Sequence, residues 1–282
     1  MTLPQLAPLA PNASYFSPHL NYNCLGLVHR ILYYLYEKRL ARQILKGSMP
    51  AHLGFILDGN RRYAKEMGFD DVADGHREGA RRLDDLLQWC ADLDIGIVTV
   101  WVFSPENFRR NPEEVEGLFE VIRDKMDDLA HNHVVTKNRF RVKAFGNIEG
   151  LPEDVRLAIE RCEKATSSHQ GRMLNIAVGY GGREEIVEAV KKALVEKGAA
   201  SPEELTEALT VEDITNHLYT CGIPDPDLII RTSGEIRLSG FLLWQSAYSE
   251  FYFCDALWPV FRKIDFLRAI RSFQHRDRRH GK

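Results

Sequence analysis

The chain has 282 residues, of which 44% are hydrophobic and 27% are charged, and its formal net charge is -3. This composition is typical of a soluble globular protein and excludes a disordered or fibrous chain. The slightly acidic balance argues against a general nucleic-acid-binding protein, because contacts to a phosphate backbone call for a net basic domain.

The cysteines point to a reducing environment. They are five in number and widely spaced, and no Cys-x-x-Cys pair occurs, so the sequence predicts neither a disulfide framework nor a zinc site. No apolar run approaches the roughly 18 residues that a membrane-spanning helix requires. We therefore expect a cytosolic protein that does not cross a membrane.

The first 22 residues contain four prolines and no lysine or arginine. This is the wrong charge pattern for a signal peptide. We expect residues 1–22 to form a flexible leader outside the fold.

Residues 23–48 predict an amphipathic helix with many basic side chains. Its apolar face is expected to carry Val28, Leu32 and Leu35, with Tyr33, Tyr36, Leu40 and Ile44 beside it. We favour docking of this helix on its own domain or on a partner subunit, because lysine and arginine stems commonly flank such a face. The alternative is that the helix lies on an anionic membrane surface.

Beyond Pro50, short apolar runs alternate with helical patterns. The runs predict strands at residues 53–57, 96–103, 139–145, 173–178, 227–231 and 250–254. Helices are expected at 76–93, 111–131, 153–169, 183–197 and 264–279, with short ones starting at Ser201 and Thr210. In the second helix, Asn111 is expected as N-cap, with Glu114 closing a capping box. The alternation predicts one α/β domain over residues 49–282, with a mostly parallel six-stranded sheet covered by helices on both sides.

Ligands of such sheets bind beyond the carboxyl ends of the strands. The first strand ends in Asp58-Gly59-Asn60-Arg61-Arg62, where Gly59 allows a tight turn and the N–H groups opening the next helix favour an anion. Asp58 would repel that anion unless a cation such as Mg²⁺ bridges the two, since Mg²⁺ binds one or two carboxylates together with phosphate oxygens. By itself, this segment is equally compatible with a capped surface turn.

Two further strand ends carry polar side chains. The second strand is followed by Ser104, Glu106, Asn107 and Arg110, which also suit an ordinary loop. The fifth is followed by "RTSGEIRLSG", in which Arg231 and Arg237 lie beside hydroxyl groups, and forked guanidinium donors of this kind bind phosphate. Because the apolar residues 241–244 come directly afterwards, we interpret this cluster as a phosphate site at the same sheet edge as Asp58.

These segments resemble the successive motifs of a known family. "HLGFILDGNRRYAK", "GHREGA", "FSPENFRR", "LNIAVGYGGREEI" and "PDLIIRTSGEIRLSGFLLWQSAYSEFYF" are similar to the signatures of the cis-prenyltransferases, the undecaprenyl diphosphate synthase family. The resemblance covers residues 50–282 in unbroken order. The DGNRR turn, the "LYEKRL" helix and the closing "RHGK" look most like the short-chain Z,E-farnesyl diphosphate synthases.

The resemblance implies an activity and a cofactor. Isopentenyl diphosphate would be joined to an allylic diphosphate, geranyl or farnesyl, with a new cis double bond, release of diphosphate and use of Mg²⁺. A homodimer and a hydrophobic tunnel between helices and sheet are also implied. Asp58 would carry the metal, with Glu250 as the second ligand near the dimer interface. Asn107 stands where a proton acceptor has been assigned, but an amide is a poor base, so we expect it to position substrate while a diphosphate oxygen takes the proton.

The resemblance also assigns residues to the two diphosphates. The allylic diphosphate is expected at Gly59, Asn60, Arg61, Arg62, Tyr63 and His76. Isopentenyl diphosphate is expected at Arg231, Arg237 and Ser239, and Leu238 is expected to bind substrate. The loop after the second strand would contribute Ser104, Pro105, Glu106, Phe108 and Arg110. The C-terminal Arg279-His280-Gly281 matches a motif that reaches toward a diphosphate. Tyr63 and Phe108 replace a common tryptophan, and Pro105 replaces a serine or threonine.

The product length is left open by the sequence. Val102 occupies a tunnel-lining position that is often alanine in long-chain members, and its larger side chain would favour early termination at Z,E-farnesyl diphosphate. A decaprenyl or undecaprenyl diphosphate synthase, which makes a lipid-carrier precursor, is the alternative. A non-catalytic partner subunit of the same fold is a further alternative, but such proteins lack the aspartate and arginines that this chain keeps.

A trans-prenyl synthase is the rival enzyme class. Residues 70–74, "DDVAD", match its Asp-Asp-x-x-Asp motif. Those enzymes resemble helical bundles with two such motifs, whereas this chain has one motif and many strands. We therefore expect an exposed acidic loop at residues 70–74.

Overall fold

A single parallel sheet organises the molecule. The computed structural model describes residues 25–198 and 209–276. Its strands are β1 (His52–Ile56), β2 (Ile97–Phe103), β3 (Phe140–Phe145), β4 (Arg172–Val178), β5 (Leu228–Arg231) and β6 (Glu250–Phe253). They form one six-stranded sheet in the order β3-β4-β2-β1-β5-β6, and every neighbouring pair is parallel. The predicted α/β fold is confirmed.

Helices cover the sheet. They are α1 (Leu25–Ile44), α2 (Asn60–Met67), α3 (Val72–Asp92), α4 (Pro112–Leu129), α5 (His133–Lys137), α6 (Glu153–Thr166), α7 (Gly182–Lys197), α8 (Val211–His217) and α9 (Lys263–Gln274). Short 3₁₀ helices lie at Pro105–Arg109, Ile148–Gly150 and Trp258–Val260. None of the helices within the described ranges is both long and apolar enough to cross a bilayer.

The start of α3 corrects one sequence prediction. The helix begins at Val72, four residues before the expected start at 76, because Asp71 caps it and accepts a hydrogen bond from the Ala73 N–H at 2.8 Å. A carboxylate at the N-cap satisfies a backbone donor that would otherwise lack a partner. Residues 70–74 are therefore not simply an exposed acidic loop, since most of the segment caps and opens a helix.

Several helix ends also differ from the sequence predictions. Helices α4, α6 and α9 end at Leu129, Thr166 and Gln274, before the expected 131, 169 and 279. Helix α8 starts as expected after Thr210, whose side chain and that of Asp213 form a capping box. The leader at 1–22, the helix expected from Ser201 and the C-terminal motif at 279–281 lie outside the described residues.

The two faces of the sheet carry different cores. Successive residues of a strand point to opposite faces, so Phe55 lies in the larger core, and Ile56 in the smaller one. The larger core is covered by side chains of α1, α3, α4, α6 and α9. The smaller core lies under Tyr180 and the loop after β5. Both cores hold the carboxyl ends of β1, β2 and β5 in fixed positions.

Helix α1 docks on its own domain as expected, through residues that the sequence placed beside its apolar face. Leu40 and Ile44 are fully buried against the larger core, and Gln274 of α9 donates a hydrogen bond to the Ile44 carbonyl at 2.9 Å. Leu32 and Leu35, placed on the apolar face by periodicity, are more than half exposed. The difference arises because Tyr33, Leu40 and Ile44 recur at helical spacing on the side that packs against the larger core, whereas Leu32 and Leu35 lie on the side that faces away from it.

Candidate active site

The order of the strands locates a crevice. Strands β1 and β5 are neighbours in the middle of the sheet. The connection from β1 leads to β2 on one side of this pair, and the connection from β5 leads to β6 on the other side. This is a switch point, where loops diverge beyond the strand ends and leave room for a ligand. A cavity of about 690 Å³ lies there. Most residues expected from the sequence line it: Asp58, Gly59, Asn60, Arg61, Arg62, His76, Ser104, Glu106, Asn107, Arg110, Arg231, Arg237 and Ser239.

Four of the expected substrate-binding residues do not line this cavity. Tyr63 packs edge-on against Phe69, with 5.9 Å between ring centroids. Pro105 opens a 3₁₀ helix. The Phe108 ring packs on the ring of Phe103, the last residue of β2, with 4.8 Å between the centroids. Leu238 packs against the smaller core. These side chains support the walls of the cavity and do not face its interior.

Glu250 lies far from Asp58 within one chain. It opens β6 and is in register with Leu228, which is in register with Leu53 of β1. Asp58 follows Leu53 by five residues, which corresponds to about 16 Å along the strand direction. Glu250 instead pairs with Arg276. Asp58 and Glu250 of the same chain therefore cannot share a metal ion.

The turn after β1 is held by a tight glycine and by a side-chain hydroxyl bonded to its backbone. Gly59 has a φ of +113°, and a Cβ atom there would come within 3.0 Å of Leu257. The Thr232 hydroxyl accepts a hydrogen bond from the Asp58 N–H at 2.9 Å and donates one to the Asp58 carbonyl at 2.6 Å. This double contact joins the ends of β1 and β5. Thr232 was missed from the sequence because it lies 174 residues from its partner.

Asp58 and Arg231 form the centre of the site. Arg231 Nη2 donates to Asp58 Oδ2 at 2.8 Å, and Nη1 donates to Ser239 Oγ at 2.9 Å and to the Arg237 carbonyl. The Arg231 side chain is only 5% exposed, whereas that of Asp58 is 35% exposed. Burial raises the pKa of Asp58, but the hydrogen bonds from Arg231 and Ser233 and the positive charges of Arg231 and Arg62 together outweigh it, so this pKa lies below its ordinary value. The carboxylate is therefore ionised at neutral pH.

Glu114 organises the opposite wall. Its Oε1 contacts Arg61 Nε at 3.1 Å and Arg110 Nη1 at 2.9 Å. The sequence predicted a capping-box role for Glu114, but Asn111 caps the helix through the Glu113 N–H and Glu114 turns to the arginines. The third position of a helix suits both roles, so spacing alone could not distinguish them.

Several buried polar atoms at the cavity have no hydrogen-bond partner in the described structure. They are Asn60 Oδ1, His76 Nε2 and Arg231 Nε. Burial and the nearby Arg110 and Arg61 lower the pKa of His76 to about 4, so its imidazole is neutral at pH 7. Buried polar groups are normally satisfied, and unsatisfied ones at a cavity are the groups that a polar ligand would complete.

The charge of the cavity favours an anion. Six cationic side chains line it, against the three carboxylates Asp58, Glu106 and Glu235. The cations are Arg61, Arg62, Lys65, Arg110, Arg231 and Arg237. Lys65 was not predicted, although its spacing of four residues from Arg61 places both on one face of α2. Cations on two walls can hold two phosphate-bearing groups around Asp58.

Asn107 uses its carbonyl oxygen structurally. Asn107 Oδ1 accepts a hydrogen bond from the Ser104 N–H at 2.8 Å. With that oxygen engaged, the amide NH₂ is the group left to contact a ligand. This geometry fits positioning of substrate better than acceptance of a proton.

An apolar cavity continues from the polar one. It has a volume of about 70 Å³ and shares Leu57, Val102 and Leu118 with the larger cavity. It runs between α3 and α4 on one side and the sheet on the other, lined by Leu83, Ile122, Met126 and Ile176. The arrangement suits a ligand with an anionic head and a hydrocarbon tail.

The fold and site together suit a ligand with an anionic head and an apolar tail, and comparison with known proteins gives the family. The family model of undecaprenyl diphosphate synthase matches residues 56–281. An isoprenyl transferase of Thermus thermophilus is 58% identical over 90% of this chain and 97% of its own length. A (2Z,6E)-farnesyl diphosphate synthase of Thermobifida fusca is 49% identical over 91% of this chain and 100% of its own.

A solved structure agrees with these sequence matches. Lavandulyl diphosphate synthase of Lavandula x intermedia, in complex with dimethylallyl diphosphate, superposes with a TM-score of 0.76 at 36% identity, covering 83% of this chain and 99% of that chain. The chain belongs to the undecaprenyl diphosphate synthase family of cis-prenyltransferases. The resemblance seen in the sequence is confirmed, and the protein is a transferase that elongates prenyl chains.

Proposed function

We propose that this enzyme joins isopentenyl diphosphate to geranyl or farnesyl diphosphate, forms a cis double bond and releases diphosphate. One observation carries the proposal: six cationic side chains line one cavity together with Asp58, and this cavity shares lining residues with an apolar one. Arg61 and Arg110, which share Glu114, suit the allylic diphosphate together with Arg62, and Arg231 and Arg237 suit isopentenyl diphosphate. The apolar cavity suits the hydrocarbon chain.

The proposed reaction uses these groups electrostatically. The bond between C1 of the allylic substrate and its diphosphate oxygen breaks, and C1 joins the terminal carbon of isopentenyl diphosphate. Preorganised N–H groups and arginines stabilise the departing diphosphate while C1 becomes cationic. A proton then leaves the isopentenyl unit, and a diphosphate oxygen accepts it. The Asn107 amide positions the substrate for this transfer.

Mg²⁺ is the proposed cofactor. No cluster of three or more His, Cys, Asp or Glu side chains among the described residues could hold a metal alone. Asp58 nevertheless fits Mg²⁺, because its partly accessible carboxylate lines a cavity rich in cationic side chains and Mg²⁺ commonly takes one or two carboxylates plus phosphate oxygens. When bound, the ion would neutralise diphosphate charge. Chelation with EDTA is expected to stop turnover, and added Mg²⁺ to restore it.

The proposed product is short, with Z,E-farnesyl diphosphate as the expected end point. Val102 lines both cavities, and its side chain is two methyl groups larger than an alanine at that position. Similarity to the (2Z,6E)-farnesyl diphosphate synthase of Thermobifida fusca also supports a short product. A decaprenyl or undecaprenyl product is the second candidate, favoured by the name of the matching family.

Product analysis tests the proposal. Purified protein is incubated with Mg²⁺, labelled isopentenyl diphosphate and either geranyl or farnesyl diphosphate, and chain length and double-bond geometry are determined. One addition to geranyl diphosphate is expected. In Val102→Ala we expect longer products, and unchanged products would remove Val102 as a determinant. A wild-type protein that is inert with each primer would support a non-catalytic subunit.

Assembly and location complete the proposal. We propose a cytosolic homodimer, in which Glu250 of one subunit approaches the site of the other. The separation of Glu250 from Asp58 within one chain supports an arrangement across subunits.

A further inference from the structure

The apolar cavity ends at a charged cluster that the proposed reaction does not use. Lys125 of α4 lines the cavity. Its Nζ donates to Asp84 Oδ1 of α3 at 2.7 Å and to Asp128 Oδ2 at 2.7 Å. Asn132 Nδ2 donates to the same two oxygens, at 3.2 and 3.1 Å. We refer to Asp84, Lys125, Asp128 and Asn132 as the polar latch.

The polar latch lies at the deep end of the cavity. Helices α3 and α4 both run away from the carboxyl edge of the sheet. Lys125 follows Glu114 of the site by eleven residues, which corresponds to about 16 Å of helix. Asp84 follows His76 by eight residues, or about 12 Å. Among the residues that line the cavity, Lys125 and Met126 are the farthest along α4.

The latch closes the seam between the two helices. The Lys125 side chain is only 12% exposed, so its stem covers the cavity while its ammonium group pairs with two carboxylates. A hydrocarbon that grew past this point between α3 and α4 would have to part Lys125 from Asp84. Burial raises the pKa of Asp84, and Lys125 partly compensates for it. Separation would leave a partly desolvated carboxylate without its main cation.

We propose that the polar latch is a chain-length determinant, which ends prenyl elongation by holding α3 and α4 together at the deep end of the cavity. This inference rests on the proposed function. It differs from the proposed role of Val102, because the barrier here is an ion pair between α3 and α4 and not the bulk of an apolar side chain.

Two variants and one control test the latch. Lys125→Ala removes the ammonium and part of the wall, whereas Asp84→Asn removes only a charge and leaves the volume nearly unchanged. The control is Glu120→Gln, which removes another ion pair between α3 and α4, that of Arg77 and Glu120 at 3.5 Å, outside the lining of the apolar cavity.

Product length is the readout, measured with geranyl diphosphate and labelled isopentenyl diphosphate. We expect the main product of both latch variants to lengthen by at least one isoprene unit, with the KM for isopentenyl diphosphate unchanged, and the Glu120→Gln product to match the wild type. A role limited to stability would lower yield without changing length. If Lys125→Ala does not fold, the product length of Asp84→Asn tests the latch, because the Asp84 side chain is partly exposed and this variant is expected to fold.

The outcomes separate the two proposals. Active latch variants with the wild-type product length would overturn the latch and leave the condensation intact. A wild-type enzyme that extends chains to ten or more isoprene units would also overturn the latch, since the seam would then be no barrier. A wild-type protein inert with every primer would overturn the proposed function and the latch together.

Discussion

At the scale of single residues, Asp58 combines a structural and a proposed catalytic role. Its carboxylate accepts from Arg231, which also holds Ser239 and the Arg237 carbonyl. This network keeps a buried guanidinium paired and an ionised carboxylate at the mouth of the cavity. The same carboxylate is the proposed ligand of Mg²⁺.

Asp58→Asn tests the charge at constant shape. The amide oxygen can still accept from Arg231, so the fold is expected to persist. Loss of the negative charge is expected to lower kcat/KM by about 100-fold or more, as is typical when a group that stabilises developing charge is removed. Steady-state kinetics with circular dichroism make the measurement. The exposed Asp70→Asn is the control, and equal activities of the two variants would contradict the role of Asp58.

His76 predicts a pH dependence of stability. Its folded pKa is lowered to about 4, below the ordinary value of 6.5, so the unfolded chain binds the proton more readily. This contribution to stability is fully present above pH 6.5 and is lost as the pH falls toward 4. We expect the free energy of unfolding to fall over this window, and to fall less in His76→Gln. Denaturant titrations at several pH values measure the slope, with the exposed His131→Gln as control. Identical slopes in wild type and His76→Gln would contradict the prediction.

At the scale of elements, two glycines let α3 approach α2. A Cβ atom at Gly75 would lie 2.3 Å from the Asn60 carbonyl oxygen, and one at Gly79 would lie 2.3 Å from Asn60 Oδ1. Asn60 opens α2 and lines the proposed substrate cavity. The two helices can therefore position Asn60 only if both positions lack a side chain.

Gly79→Ala is expected to disturb both packing and activity. The new methyl group would also meet Trp258 Cδ1 at 2.8 Å, so the helices must separate, at a cost of about 1–3 kcal/mol. Displacement of Asn60 should lower kcat/KM as well. Thermal unfolding and kinetics provide the test. Gly96→Ala is the matched control, because its Cβ would meet only the Ala51 carbonyl oxygen at 3.8 Å. Equal stabilities of the two variants would argue against this packing account.

At the scale of the whole molecule, the position of Glu250 makes a prediction about assembly. Asp58→Ala and Glu250→Ala are expected to be nearly inactive when each is prepared alone. If Glu250 serves the site of the partner, a mixed dimer regains one complete site. Random exchange of subunits would then restore about one quarter of wild-type activity.

The measurement is activity after equimolar mixing and subunit exchange. Mixing either variant with itself is the control. Absence of recovery, with exchange verified by differently tagged subunits, would contradict a role for Glu250 across subunits. The dimer itself is tested by sedimentation of the wild-type protein.

Much of the fold and site was accessible from sequence because its signals are local. Apolar runs and helical periodicity depend on neighbours within a few residues, so the six strands and the alternation were predicted, with helix ends displaced by a few residues. The motifs at strand ends placed Asp58, Arg61, Arg110 and Arg231 at one edge, because parallel strands end together.

Other features depended on packing between distant segments. Glu114 turns to Arg61 and Arg110 and does not close a capping box, and Thr232 joins Asp58 across the sheet. Four residues belong to the same motifs as the residues that line the cavity, but their side chains pack behind its walls. They are Tyr63, Pro105, Phe108 and Leu238. Motif membership identifies a segment, whereas the direction of each side chain is set by the elements that pack on it.

The sequence by itself determined the fold class through its periodicity, the family through the resemblance of its motifs, and the cluster of cationic side chains at one end of the sheet through the residue types at strand ends. Only the tertiary structure decided which face of α1 is buried, that Glu250 lies at the opposite edge from Asp58, and that Lys125 and Asp84 meet across the cavity. These contacts depend on strand register and on the crossing of helices far apart in the chain, and no local pattern encodes them.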